Sequence, residues 1–125
     1  TWAPHIFGVG DVIGFPSLAS AAMEQGRRAV CSIFNKPYVA YQNLPYGLFT
    51  IPEISMVGKN EQQLTAERVP YEVGMARFSE IARGHIAGDT VGMLKLLFHR
   101  ETRKLLGVHA IGDRAVERLP HQDGM

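Results

Sequence analysis

Two apolar runs, Val91 to Phe98 and Lys104 to Ile111, flank the charged connector "HRETRK". Strand-length segments joined by so short and polar a link pair antiparallel, so the sequence predicts a β-hairpin here. Alternation then puts Leu94, Leu96 and Phe98 on one face and Met93, Lys95 and Leu97 on the other. An isolated hairpin with an apolar face is not stable in water, and the neighbouring residues must supply its cover. A chain of 125 residues, 46% of them hydrophobic, has material for one modest core rather than two full ones.

The segments before the hairpin fit that demand. Leu48 to Val57 resembles a strand, with Pro52 confining its position to an edge or a bulge. Asn60 followed by Gln63 is a capping-box start for a helix over Glu61 to Arg68, which Pro70 closes. Tyr71 to Phe78 alternates as a half-exposed strand, with Tyr71, Val73 and Met75 opposite Glu72 and Gly74. Ser79 to Asp89 reads as a turn or short irregular helix. After Gly112-Asp113, Ala115-Val116-Glu117 reads as the start of a closing helix. Residues 46–117 are therefore expected to form an α+β layer, an antiparallel sheet with flanking helices.

The first third of the chain has a different pattern. In "IFGVGDVIGFPSLASAA", residues 6–22, Ile6 to Val9 reads as a short buried strand ended by Gly10-Asp11. Pro16 suits the first turn of a helix that runs from Ser17 to Phe34. Leu18, Ala22, Ala29 and Ile33 mark its apolar face, with Glu24, Gln25, Arg27 and Arg28 opposite. Gly26 costs that helix about 1 kcal/mol relative to Ala, which implies a closely packed neighbour. Strand, loop and helix together read as the end of an α/β layer. The division expected is residues 1–37 as this remnant, 38–45 as a linker, 46–117 as the second domain and 118–125 as an atypical tail. Thr1-Trp2 opens without methionine and leads at once into a strand with nothing before it to pair with, so a piece of a longer chain is expected.

Asp11 is the residue most suggestive of chemistry. A carboxylate at the C-terminal end of a strand points into the crevice where open α/β sheets bind ligands. A helix N-terminus nearby offers unpaired N–H groups and a partial positive charge. Two readings stay open: Asp11 caps its own loop, or it accepts from a hydroxylated ligand whose electron-rich ring faces the helix end.

Other function classes are disfavoured. A net charge of +1 gives neither nucleic acid nor an anionic membrane an obvious hold. No run is long enough for a membrane span, and the single cysteine, Cys31, fits a reducing compartment, so a cytoplasmic location is expected. His5, His85, His99, His109 and His121 lack metal-ligand spacing, and no metal site is expected. Cys31 reads as a small packed hydrophobe. "HRETRK" reads as a solvated turn, and Glu53 as an edge-strand carboxylate kept for solubility rather than a flavin or subunit contact.

The motifs carry a resemblance. "IFGVGDVIG" followed by "PSLASAAMEQGRRA" is similar to the second flavin-binding segment of the FAD-dependent pyridine nucleotide-disulfide oxidoreductases. "YGLFTIPEISMVGKNEQQL" and "VGMLKLLFHRETRKLLGVHAIGDRAVE" resemble the C-terminal dimerisation domain of the same family. The likeness spans about positions 1–117 and is greatest to members that exchange hydride between nicotinamide nucleotides. It implies FAD as cofactor and hydride transfer from NADH or NADPH to NAD(P)+ through the flavin. It also implies a homodimer built through the C-terminal domain. By position, Asp11 would bond a ribityl hydroxyl, and Leu18 and Ala19 would offer backbone N–H groups to the pyrimidine edge of the flavin. No catalytic side chain is assigned. The family's pyrophosphate-seating G-x-G-x-x-G turn and nicotinamide domain have no counterpart here, so these 125 residues alone are expected to bind FAD poorly. "RLPHQDGM" departs from the family's long helices, because Pro120 breaks the helix wanted there. The competing reading is a non-catalytic module of the same fold that only self-associates.

Overall fold

Residues 3–39 and 43–117 are described by this computed structural model. The chain divides into two units, with the boundary between Leu44 and Pro45.

In the first unit, a 3-10 turn at Gly10–Ile13 precedes α1, Ala19–Ile33. The strand expected at Ile6 to Val9 does not form; these residues are irregular, and Ile6, Phe7 and Val9 are exposed rather than buried. A strand exists only through ladder bonds to a neighbour, and no strand lies among the described residues of this unit. The helix, by contrast, carries its hydrogen bonds internally and forms almost over the expected span. Its end is set where the Lys36 N–H bonds the Cys31 carbonyl at 2.8 Å, one residue before Pro37. The expected helix face is partly overturned. Ala21 and Glu24 are the buried residues and Ile33 is exposed; the Tyr38 hydroxyl donates to Glu24 Oε1. Arg27 adds an ion pair to the other Glu24 oxygen at 3.1 Å.

The second unit holds five strands: β1 (Tyr46–Leu48), β2 (Glu53–Gly58), β3 (Tyr71–Arg77), β4 (Gly92–His99) and β5 (Leu105–Gly112). They form one antiparallel sheet in the order β1-β2-β5-β4-β3. Two helices, α2 (Glu61–Ala66) and α3 (Ala82–Ala87), lie in the connections. The fold is α+β, as the sequence implies. The β4–β5 hairpin places Leu94 opposite Ala110 and Leu96 opposite Val108, with a register shift at Leu97/Phe98. Val57 of β2 and Val108 form the buried centre of that face, with Leu94 and Leu96 packed against them.

Leu48 to Val57 is not one strand. It folds back on itself as β1 and β2, pairing Tyr46 with Met56 and Leu48 with Ile54. Pro52 has no N–H to give a ladder, and the Thr50 hydroxyl bonds the Pro52 carbonyl at 2.7 Å across the reversal. β2 thereby becomes an interior strand beside β5, and β1 takes the edge. The capping box forms as expected: Asn60 Oδ1 accepts from the Gln63 amide at 2.8 Å and Gln63 Oε1 accepts from the Asn60 amide at 2.9 Å. It fixes α2 so that Leu64 is fully buried, as is Leu97 of β4. Gly107 permits a close crossing, since a β-carbon there would collide with the Lys59 carbonyl oxygen. Beyond β5, residues 113–117 make successive turns rather than a regular helix. The atypical tail 118–125, with His121, and the linker positions 40–42 lie outside the described residues.

Candidate functional site

Asp11, Leu18 and Ala19 all lie in the first unit, on the turn and helix start that the sequence singles out. Asp11 is the second residue of the 3-10 turn, which closes when the Gly14 N–H bonds the Asp11 carbonyl at 3.1 Å. Its side chain is exposed and, among the described residues, its carboxylate takes part in no hydrogen bond. The closing bond of the turn uses the Asp11 carbonyl, which leaves the carboxylate's lone pairs open.

Leu18 is the N-cap of α1, extended at φ −133° and ψ 143°, and no side chain caps the helix. The first intrahelical bond runs from the Ala22 amide to the Leu18 carbonyl at 2.8 Å. The amides of Ala19, Ser20 and Ala21 thus precede the ladder and point out of the helix end. Ala19 and Ser20 are exposed and small, so an approaching group meets backbone rather than side chain. Ser17, the nearest capping candidate, instead donates to the Gly14 carbonyl at 3.4 Å. An open carboxylate and an uncapped helix end are chemically complementary to a ligand that carries hydroxyls and an electron-rich ring. They suit FAD in type; no other group is required of the side chains.

The same turn contains a contact that sequence reasoning missed. The buried Gly10 amide donates to Gln25 Oε1 at 2.6 Å. Helical periodicity sets Gln25 largely on the face opposite the apolar stripe. Its spacing from Ala22, one turn earlier on the same stripe, was the available signal.

In the second unit, Glu53 lies on the interior strand β2, not on the edge strand expected for it. Glu53 Oε2 accepts from the Val116 amide at 3.2 Å, and the buried Ser55 hydroxyl donates to the Ala115 carbonyl at 2.6 Å. Both bonds hold residues 115–117 against β2. A shallow groove of about 270 Å³ lies on the opposite face, lined by Ile54, Met56, Met93, Lys95 and His109. Lys95 pairs with Glu61 of α2 at 2.7 Å, and the His109 Nε2 is buried without a partner among the described residues. Burial, and then the Lys95 ammonium, hold the His109 pKa below its ordinary value, against smaller opposing effects from the Lys59 backbone and Glu61. Among the described residues no group of three His, Cys, Asp or Glu side chains is arranged to hold a metal ion. Nor is any described helix long and apolar enough to cross a membrane.

Residues 44–122 match the family model for the dimerisation domain of pyridine nucleotide-disulphide oxidoreductases. The soluble pyridine nucleotide transhydrogenase of Chromohalobacter salexigens is 57% identical over 119 residues, covering 95% of this chain and 26% of that protein. That of Escherichia coli O1:K1 is 56% identical over 119 residues, covering 94% of this chain and again 26% of the relative. The chain thus spans about a quarter of the length of the curated relatives it matches. Among solved structures, LpdA from Mycobacterium tuberculosis superposes with a TM-score of 0.74 at 27% identity, over 87% of this chain and 24% of that one. A copper(II) complex of a variant of the HOCl-induced flavoprotein disulfide reductase RclA from Escherichia coli gives 0.76 at 25% identity, over 94% of this chain and 27% of that one.

Proposed function

Because the chain belongs to the pyridine nucleotide-disulphide oxidoreductase family through its dimerisation domain, we propose that it is the C-terminal part of a cytoplasmic flavoprotein transhydrogenase. The reaction is hydride exchange between NADH or NADPH and NAD(P)+, and these nucleotides are its small-molecule partners. The observation that carries this reading is a similarity extending across both units, 57% identity over 95% of the chain, rather than over the sheet alone. In the division this reading uses, residues 1–37 complete the flavin site, 38–45 connect, and 46–117 form the homodimer interface.

Bound FAD would supply the redox chemistry, accepting hydride from one nicotinamide and passing it to another. The chain's own residues hold and polarise. Asp11 accepts a hydrogen bond from a ribityl hydroxyl, and a charged acceptor makes such a bond worth about 1.5–3 kcal/mol. The open N-terminus of α1, through Leu18 and Ala19, would hold the ring edge on which negative charge accumulates. A helix end stabilises such charge by about 0.3–1 kcal/mol, more when buried. Neither contribution needs a titrating side chain.

The test is a chimera in which this chain replaces the matched segment of the Chromohalobacter salexigens enzyme. A yellow dimer that reduces an NAD+ analogue with NADPH is expected, and Asp11→Ala should weaken FAD retention by about 10–100-fold. A colourless but dimeric chimera would overturn the flavoprotein reading in favour of a self-associating module. Flavin retention unchanged by Asp11→Ala would remove Asp11 from the site.

A further inference from the structure

We propose that Gln25 is the positioning residue of this site, its side-chain carbonyl holding the Gly10 amide and so fixing where the Asp11 carboxylate stands. The inference rests on the assignment of Asp11 to the flavin site made above.

Gly10 opens the 3-10 turn, is buried, and has φ +76°, a left-handed conformation that favours glycine. A buried amide out of reach of water must find an acceptor. This amide lies ahead of the turn's own bonding, and its acceptor comes from 15 residues away, Gln25 Oε1 at 2.6 Å. The turn also touches α1 at a second point. A β-carbon at Gly10 would stand 3.4 Å from the Ala22 β-carbon, at the limit of ordinary contact. Ala22 and Gln25 share one helix face at i, i+3 spacing, so the helix presents a small residue to receive the backbone and an acceptor to lock it.

Asp11 is the next residue along the chain, and its carbonyl closes the turn on the Gly14 amide at 3.1 Å. The segment between lock and closure is therefore Asp11 itself. Removing the acceptor leaves the Gly10 amide buried and unpaired, or makes it turn toward water and carry Asp11 with it.

The experiment is a double-mutant cycle in the same chimera, with Gln25→Met removing the acceptor at similar volume and Gln25→Glu keeping it. FAD release is followed by flavin fluorescence, and the dimer and its apoprotein melting are followed in parallel. Gln25→Met should speed FAD release about tenfold, as expected for one buried amide left unpaired. Gln25→Glu should restore retention to within about twofold, since a carboxylate accepts the same bond. In the Asp11→Ala background Gln25→Met should add almost nothing, because the two residues then act as one unit. Wild-type release by Gln25→Met overturns the proposal while leaving the Asp11 assignment intact. So does a loss fully additive with Asp11→Ala, or one that accompanies loss of the dimer, since either makes Gln25 merely structural. If Asp11→Ala has no effect, the underlying assignment falls instead, a separate result.

Discussion

In the unit that begins at Pro45, each strand of the sheet is paired and the helix α2 is capped at its start, and Leu64 and Leu97 are fully buried. In the unit that ends at Leu44, Val12, Phe15 and Phe34 are exposed at 83%, 79% and 66%, and the segment expected as a strand has no partner. The difference lies in where each element finds its bonds. The sheet satisfies its backbone with strands of its own unit, three pairings between strands consecutive in sequence and one, β2 with β5, between strands far apart. The helix of the first unit carries its bonds internally and its turn takes one from Gln25, while the start of the helix stays uncapped by any side chain. The two units should therefore respond differently to substitution.

The largest contrast is expected for apolar truncations. Leu64→Ala or Leu97→Ala should lower the unfolding free energy by about 3 kcal/mol, read from urea denaturation by circular dichroism. Val30→Ala on the exposed side of α1 should change it by under about 0.5 kcal/mol. Similar costs for the two would break the comparison. Next, Ser55→Ala should cost about 1–2 kcal/mol, because the buried Ala115 carbonyl loses its donor. An unaltered midpoint for that variant would mean that residues 115–117 are not pinned through β2. Smaller still, Asn60→Ala should cost about 1 kcal/mol by opening the capping box, detectable as a lowered denaturation midpoint with unchanged slope.

The smallest effect sharpens the comparison through pH. The folded-state pKa of His109 is lowered, so the folded protein binds fewer protons than the unfolded one at mildly acid pH. Its contribution is complete above the unfolded value of about 6.5 and is lost as pH falls through the folded value. Stability should therefore decline on acidification below about pH 6.5, and His109→Gln should flatten that decline. Lys95 and Glu61 face the ring, and an unflattened curve would remove His109 as the source of the acid sensitivity.

Much of this fold is legible along the chain. The β4–β5 hairpin and its faces follow from alternation and the charged connector, and the α2 start follows from Asn60 and Gln63, three residues apart. The errors fall where a partner decides. Leu48 to Val57 has the composition of one strand, and only its pairing with itself shows that Pro52 marks a reversal. Ile6 to Val9 has the composition of a strand and lacks the neighbour that would make it one. Helical periodicity turns Glu24 to solvent, but it is buried and accepts from the Tyr38 hydroxyl. At the candidate site the residue types were readable, Asp11 before a helix of small residues, whereas the Gly10–Gln25 bond was not.

What the sequence settled by itself are the properties that act over a few residues: helix span, capping and strand alternation. Tertiary structure decided which strands became neighbours, which apolar side chains were covered, and that Gln25 and Glu53 became acceptors for amides 15 and 63 residues away. The reason is that hydrogen-bond satisfaction and burial depend on what stands opposite a group in space. Local pattern limits those partners without choosing among them.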